Sequence, residues 1–342
     1  MAYDYGYGPL EDALIDACTE FPPDFAKIRR MIQAGANLNA VSSKDSKEEE
    51  NILSEIIEGL SWGNESIYLI CEECEEETCE NCELKGEEID GRWLPFIVEL
   101  FLQNGFDLGR RGGSVGADCL KSLTWSTYDK YILDAAKILL KAGADPTHED
   151  KEDGGTVMGW VSAKESAAEC IYEDHCQSNL FHTLYEIMDA QVKGEDIDQI
   201  FFFDKCIGRK INQVLLCSEE NACKGIFSIT TPQMQYENCF AEPLVFWCEG
   251  MPLCVTEYVD EIVDYRTMRK AKTKQDVSSF FADCLGQTIT AIDFESKEVT
   301  KGSTCYTQPI TMIRLSNGKT ICISYNIGDV PKEKRSAWFS VI

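Results

Sequence analysis

The sequence predicts an α + β multidomain protein, in which a stack of about four helical repeats precedes an internally duplicated β-rich domain. Three observations lead there. Three amphipathic segments in the first 150 residues end alike, at Gly35-Ala36-Asn37, Gly105-Phe106-Asp107 and Gly143-Ala144-Asp145. From residue 200 the pattern shifts toward short alternating segments, and two stretches copy each other. Charge divides the chain at the same place: residues 1–200 hold 42 Asp and Glu against 16 Lys and Arg, and residues 201–342 hold 17 against 16. Nearly all of the formal net charge of −27 therefore belongs to the first part.

The expected domains are 1–198, with an inserted Cys-rich acidic loop at 62–91, and 199–342, with half-units at about 200–258 and 279–342. In the first domain each Gly ending closes a second helix, read at Phe25–Ile32, Pro95–Leu102 and Ala135–Leu140. Gly accepts the left-handed cap conformation without penalty, and the following Asn or Asp can hydrogen-bond its own backbone. Pro95 suits a helix's first turn, where its missing donor costs nothing. First helices are expected around Pro9–Ala13, Asn51–Ser54 and Ala117–Leu120. A fourth unit is read from Gly154-Gly155-Thr156 with a helix over Asn179–Val192 and no Gly ending, as a terminal cap would have it.

This cadence resembles the closing segment of the ankyrin repeat, and the match is to degenerate repeats, since no full Thr-Pro-Leu-His turn is present. The Gly-to-Gly spacings are 70 and 38, against about 33 for one ankyrin unit. An insertion between the helices of the second unit accounts for the first gap, and an extra turn near Trp125–Lys130 for the second. The resemblance implies a protein-binding scaffold whose concave face is built from turn tips and first helices. Arg110, Arg111 and His148, which follow Gly endings, and Trp125, Tyr128 and Tyr131 in the lengthened loop are the candidate partner contacts. Each could equally serve in core packing.

The insertion carries Cys71-x-x-Cys74 and Cys79-x-x-Cys82. Two such pairs can chelate one zinc ion in a closed tetrahedral site, which would be structural because no ligand position stays open. Only four residues separate the pairs, whereas zinc ribbons leave about a dozen or more. Seven acidic residues from Glu72 to Glu83 oppose thiolate formation until a metal supplies positive charge. Structural zinc, an acidic flap with incidental thiols and a redox-responsive loop all remain open.

In the second domain Phe202–Val214 aligns with Phe280–Ile292, and Cys239–Phe246 with Cys305–Met312. Hairpins follow at Cys248-Glu249-Gly250 and Ser316-Asn317-Gly318-Lys319, the latter carrying the strong Asn-Gly turn signal. The closing strands are read at Leu253–Tyr258 and Thr320–Tyr325. Cys206 and Cys284, Cys239 and Cys305, and Cys254 and Cys322 then occupy equivalent places, where cysteine usually acts as a small buried hydrophobe. The basic run Tyr265–Lys274 could contact an anionic partner, dock on the acidic half or solvate a helix and linker.

These features point away from catalysis. The chain has three histidines, His148, His175 and His182, and no phosphate-cradling Gly loop or nucleophile elbow. The grouping of Cys170, His175, Cys176 and His182 follows from their closeness in sequence. No run of about 18 apolar residues and no basic-apolar leader is present, which predicts no membrane span and no signal peptide. Seventeen cysteines scattered through such a chain suit a reducing cytoplasm. The expected function is a non-enzymatic adaptor whose acidic stack holds a protein partner with a basic surface, nucleic acid being disfavoured by charge. Alternatives are an immunity protein or inhibitor covering a basic, nuclease-like toxin, and a ligand-, zinc- or redox-responsive sensor using the β domain or the Cys loop.

Overall fold

A computed structural model describes residues 5–20, 22–42, 51–62, 91–125, 130–149, 162–173, 178–218, 226–228, 238–240, 244–249, 251–255, 273–301, 304–325 and 337–342. It is a mixed helix and sheet protein, and the chain divides into two compact units, Met1–Ile200 and Phe201–Ile342.

The first unit is helical. Its elements are α1 (Pro9–Thr19), α2 (Phe25–Gln33), α3 (Ile52–Trp62), α4 (Leu94–Gln103), α5 (Ser114–Trp125), α6 (Tyr131–Lys141), α7 (Ala163–Glu173) and α8 (Ser178–Val192). Helices α1, α3, α5 and α7 pack in one row, each on the next, while α4, α6 and α8 form a second row against it. Amphipathic spacing explains the layering. Leu14, Ile15, Ile52, Ile56, Ile97, Phe101, Leu139 and Leu184 fall on inward faces and are fully buried or nearly so. Asp24 caps α2 by accepting from the Lys27 amide at 2.9 Å. A buried polar knot holds α3 to α5. Asn51 Nδ2 donates to Ser54 Oγ at 2.7 Å, and Cys119 Sγ lies 3.5 Å from Asn51 Oδ1.

Four helices of this unit end identically. Gly35, Gly105, Gly143 and Gly194 have φ of 96°, 94°, 104° and 67°. The next amide in each case donates back five residues: Ala36 to Met31 O, Phe106 to Phe101 O, Ala144 to Leu139 O and Glu195 to Ala190 O, at 2.8–3.2 Å. Two residues past each Gly, the side chains of Asn37, Asp107, Asp145 and Asp196 accept from the amides of Asn39, Gly109, Thr147 and Asp198. The fourth ending corrects the sequence expectation that α8 closes without Gly. Glu195 stands where the other three have Ala or Phe, but the cap depends on the left-handed Gly and the Asx acceptor, and both are present.

The second unit is β-rich. Strands β1 (Ile211–Ser218), β4 (Leu244–Cys248), β5 (Met251–Val255) and β6 (Thr273–Asp276) form a four-stranded sheet in the order β5-β4-β1-β6. Strands β2 (Ile226–Ser228), β3 (Asn238–Phe240), β7 (Ile289–Lys301), β8 (Thr304–Leu315), β9 (Thr320–Tyr325) and β10 (Ala337–Val341) form a six-stranded one in the order β2-β3-β10-β9-β8-β7. All pairings are antiparallel. The meanders β1-β4-β5 and β7-β8-β9 share a local irregularity, between Ile211 and Gln213 in one and Ile289 and Ala291 in the other.

Where the meanders meet, their hydrogen bonds exchange reciprocally. Gly208 N donates to Ile289 O at 2.8 Å and Gly286 N to Ile211 O at 2.7 Å. Ile289 N donates to Arg209 O at 2.9 Å and Ile211 N to Gln287 O at 3.0 Å. One apolar core closes over this junction, joining Cys206, Ile211, Val214, Phe246 and Cys248 to Phe281, Cys284, Ile289, Ile313, Leu315 and Ile321. The Phe246 and Phe281 rings meet edge to face at 5.3 Å.

One expected correspondence breaks. The aligned stretches 239–246 and 305–312 were expected to correspond, but the second lies within the one strand β8, whereas the first contributes to two strands with different partners: β3 pairs with β10, through Cys239 opposite Trp338, and β4 pairs with β1. The edge of β10 thereby gains a partner instead of standing open.

Candidate protein-binding surface

The helix-ending turns are linked to their neighbours by side chains that leave them little freedom. Asn39 Nδ2 donates to Gly105 O at 2.9 Å, and its Oδ1 accepts from Asp107 N at 2.9 Å, so the first turn is bolted to the second. Arg110 completes the link by donating to Asn39 O. The final turn is held by Lys141, whose Nζ lies 2.7 Å from both carboxylate oxygens of Asp198. That ammonium holds the Asp198 carboxyl below the usual carboxylate range. Lys137 Nζ donates to Ile200 O at 2.7 Å beside it.

These turns present an exposed, predominantly acidic edge. Asp107, Asp145, Asp196, Asp198 and Glu149 are all exposed, while Leu38, Leu108, Pro146 and Ile197, one residue past each Asx position, are buried beneath. Backbone bonds and buried apolar anchors fix where the carboxylates stand.

The sequence-predicted contacts separate into two groups. Arg110 and Arg111 follow the second helix-ending turn and His148 the third; a Cβ on Gly113, two residues after Arg111, would lie 3.8 Å from His148 Nδ1. Arg110 is half-buried and engaged with Asn39, so its guanidinium serves the turn ladder. Arg111 is exposed and adopts φ 54°, ψ 38°, a left-handed conformation uncommon for a side-chain-bearing residue. Tyr131 opens α6 and Trp125 closes α5, at the far ends of those helices from the turns. Eleven residues of α6 put Tyr131 about 16 Å from that edge. The half-buried Tyr131 ring carries Lys130 Nζ at 5.8 Å from its centroid. Tyr128 lies outside the described residues.

Cys71, Cys74, Cys79 and Cys82 also lie outside them, as do Gly154–Trp160, His175, Cys176 and residues 265–272 of the basic run. Thr273 and Lys274, which end that run, belong to β6. Among the described residues no group of three or more His, Cys, Asp or Glu is arranged to hold a metal ion. Cys170 Sγ sits 3.3 Å from Thr124 O, and His182 is half-buried on α8.

Cys18, Cys119, Cys206, Cys248 and Cys284 are buried thiols outside any disulfide. Burial pushes Cys119 up to about 12 and Cys284 up to about 11. Cys206 is drawn below its ordinary value by a hydrogen bond from Cys248, whose own value rises in consequence.

A groove that sequence reading did not foresee lies between α2 and α4. Phe25, Arg29, Trp93, Phe96, Glu99, Leu100 and Gln103 line a cavity of about 390 Å³. Phe96 is 57% exposed. Helical periodicity marks Phe96 only as apolar; the spacing between two helices far apart in sequence decides that it faces solvent.

No protein-family model, curated protein or solved structure matches this chain. Among the described residues no helix is long and apolar enough to cross a membrane.

Proposed function

We propose that this chain is a non-enzymatic protein-interaction scaffold that holds a protein with a basic surface against the acidic row of turns in residues 1–200. The observation that carries the reading is the fourfold helix ending, which sets exposed Asp107, Asp145 and Asp196 at the same position of three consecutive turns. Preorganised charge on a rigid ladder favours fast, salt-sensitive association with a cationic surface.

The two helix rows and the recurring Gly-x-Asx turns support an ankyrin-like architecture for this unit. The reciprocal bonds between Gly208 and Ile289 and between Gly286 and Ile211, with the shared strand irregularity, support an internal duplication in the second. The apolar packing across that junction counts against a small-ligand site there. Buried free thiols suit a cytoplasmic setting.

The test exploits the first turn, where Asn37 performs the same backbone cap without charge. The triple variant Asp107→Asn, Asp145→Asn, Asp196→Asn keeps every cap acceptor and removes three charges. Affinity capture from a native lysate with the intact chain, read by mass spectrometry, is expected to return a specific basic protein and to lose it with the triple variant. Equal recovery by both, or no specific protein at all, contradicts the proposal.

A further inference from the structure

The outer face of the helical unit carries a second surface of opposite character. In the row α4, α6, α8 each helix packs on the next, but between α2 and α4 the described residues leave a groove. Its walls are two helical stripes: Phe25 and Arg29, four apart on α2, and Phe96, Leu100 and Gln103, at i, i+4 and i+7 on α4. The stripe of α4 that holds the fold together is a different one, Ile97, Val98 and Phe101, each fully buried. Phe96 is therefore not needed for the core, and an aromatic side chain of this size left 57% exposed marks a contact surface.

Aromatic rings line one end of the groove. The Phe25 and Trp93 centroids are 5.6 Å apart and those of Trp93 and Phe96 6.4 Å, with tilted planes, Phe25 and Trp93 half-buried and Phe96 exposed. The Arg92 guanidinium sits 5.7 Å from the Trp93 centroid. A volume of about 390 Å³ falls within the range of roughly 300–1,000 Å³ typical of pockets that hold a ligand.

Charge selects the occupant. Residues 1–200 are strongly acidic, yet α2 holds Lys27, Arg29 and Arg30 with no acidic residue, and Arg92 adds a fourth cation beside Trp93. Lys27 is taken up by Glu20 at 2.8 Å. The lining itself holds one cation, Arg29, and one anion, Glu99, which accepts from Gln103 Nε2 at 3.1 Å, so the positive balance at this face comes from Arg30 on α2 and Arg92 beside Trp93. An anionic segment is thus less opposed at this face than elsewhere on a unit of strongly negative formal charge.

We propose that the α2–α4 groove docks an acidic peptide segment of a partner protein, with an aromatic or leucine anchor inserted among Phe25, Trp93 and Phe96 and carboxylates beside Arg29 and Arg92. This site is separate from the acidic turns, and its partner has the opposite charge.

The test is selection of a random dodecapeptide library displayed on phage against the intact chain. The expected consensus pairs Phe, Trp or Leu with two or more Asp or Glu. A synthetic, fluorescein-labelled consensus peptide, followed by fluorescence polarisation, should lose at least tenfold in affinity with Phe96→Ala and with Arg29→Glu. A peptide with Lys in place of its acidic residues should regain binding to Arg29→Glu, which a misfolded variant could not provide. The triple Asn variant of the turns should bind the peptide as the native chain does, so this proposal and the acidic-edge reading fail independently. No enriched sequence, a consensus lacking acidic residues, or affinity indifferent to both groove variants overturns it.

Discussion

Cys119 shows how one residue's setting fixes its chemistry. Fully buried and linked to Asn51 and Ser54, its thiol is pushed up to about 12; Cys284, buried in the apolar core of the second unit, rises to about 11. Both should resist iodoacetamide at pH 8 in the folded protein and react fully in urea, as mass spectrometry of alkylated peptides would reveal. The linkage has a definite sign. Above the ordinary thiol value the unfolded chain releases these protons while the folded chain keeps them, so stability falls as pH rises toward 11–12, by up to about 1.4 kcal/mol per pH unit and thiol. The loss of urea resistance between pH 9 and 11 should shrink in Cys119→Ala with Cys284→Ala; rapid native alkylation, or a pH response unchanged by the pair, contradicts this. Sequence pointed to Cys284 as a buried hydrophobe through its equivalence with Cys206, though it lies in a turn before β7 and not on a strand; of Cys119 it showed only a place in a first helix. It did not show Gly194 as the fourth cap, because a scan for Gly with a small or apolar successor passes over Glu195. Nor could it show that Arg110 is engaged with Asn39, a contact across 71 positions.

Secondary elements were legible where local signals dominate. The second helices expected at Phe25–Ile32 and Pro95–Leu102 are α2, Phe25–Gln33, and α4, Leu94–Gln103, because Gly caps and amphipathic spacing are written within one turn. Strand β9 spans the expected Thr320–Tyr325 for the same reason, its start fixed by the turn at Asn317-Gly318. What escaped is long-range pairing: β3 with β10 joins residues about 100 apart, and nothing in either short segment names the other. The reciprocal bonds at the β junction make a prediction at this scale. Ile211 and Ile289 are both fully buried and exchange equivalent bonds. Ile211→Ala and Ile289→Ala should each cost about 2–5 kcal/mol and agree to within about 1 kcal/mol, read from native-state hydrogen exchange at the Gly208 and Gly286 amides. One tolerated substitution beside one that unfolds the unit would break the equivalence.

At the scale of the whole molecule, the chain pairs an acidic helical unit with a nearly neutral β unit, and the division seen in the charge falls at the contact boundary of residues 200 and 201. The candidate site was half legible. Turn positions, with Arg110, Arg111 and His148 beside them, followed from the Gly endings, but the sequence did not separate these candidates from Tyr131, which lies at the opposite end of α6 from that edge. The central claim is that fixed carboxylates on that edge hold a basic partner. It is tested most directly by the affinity of the captured partner, measured by calorimetry from about 50 to 500 mM salt, over which screening shortens from beyond 10 Å to a few ångströms. Affinity should fall at least tenfold across that range for the native chain, and with a shallower slope for the triple Asn variant; a flat response, or identical slopes, would contradict the account.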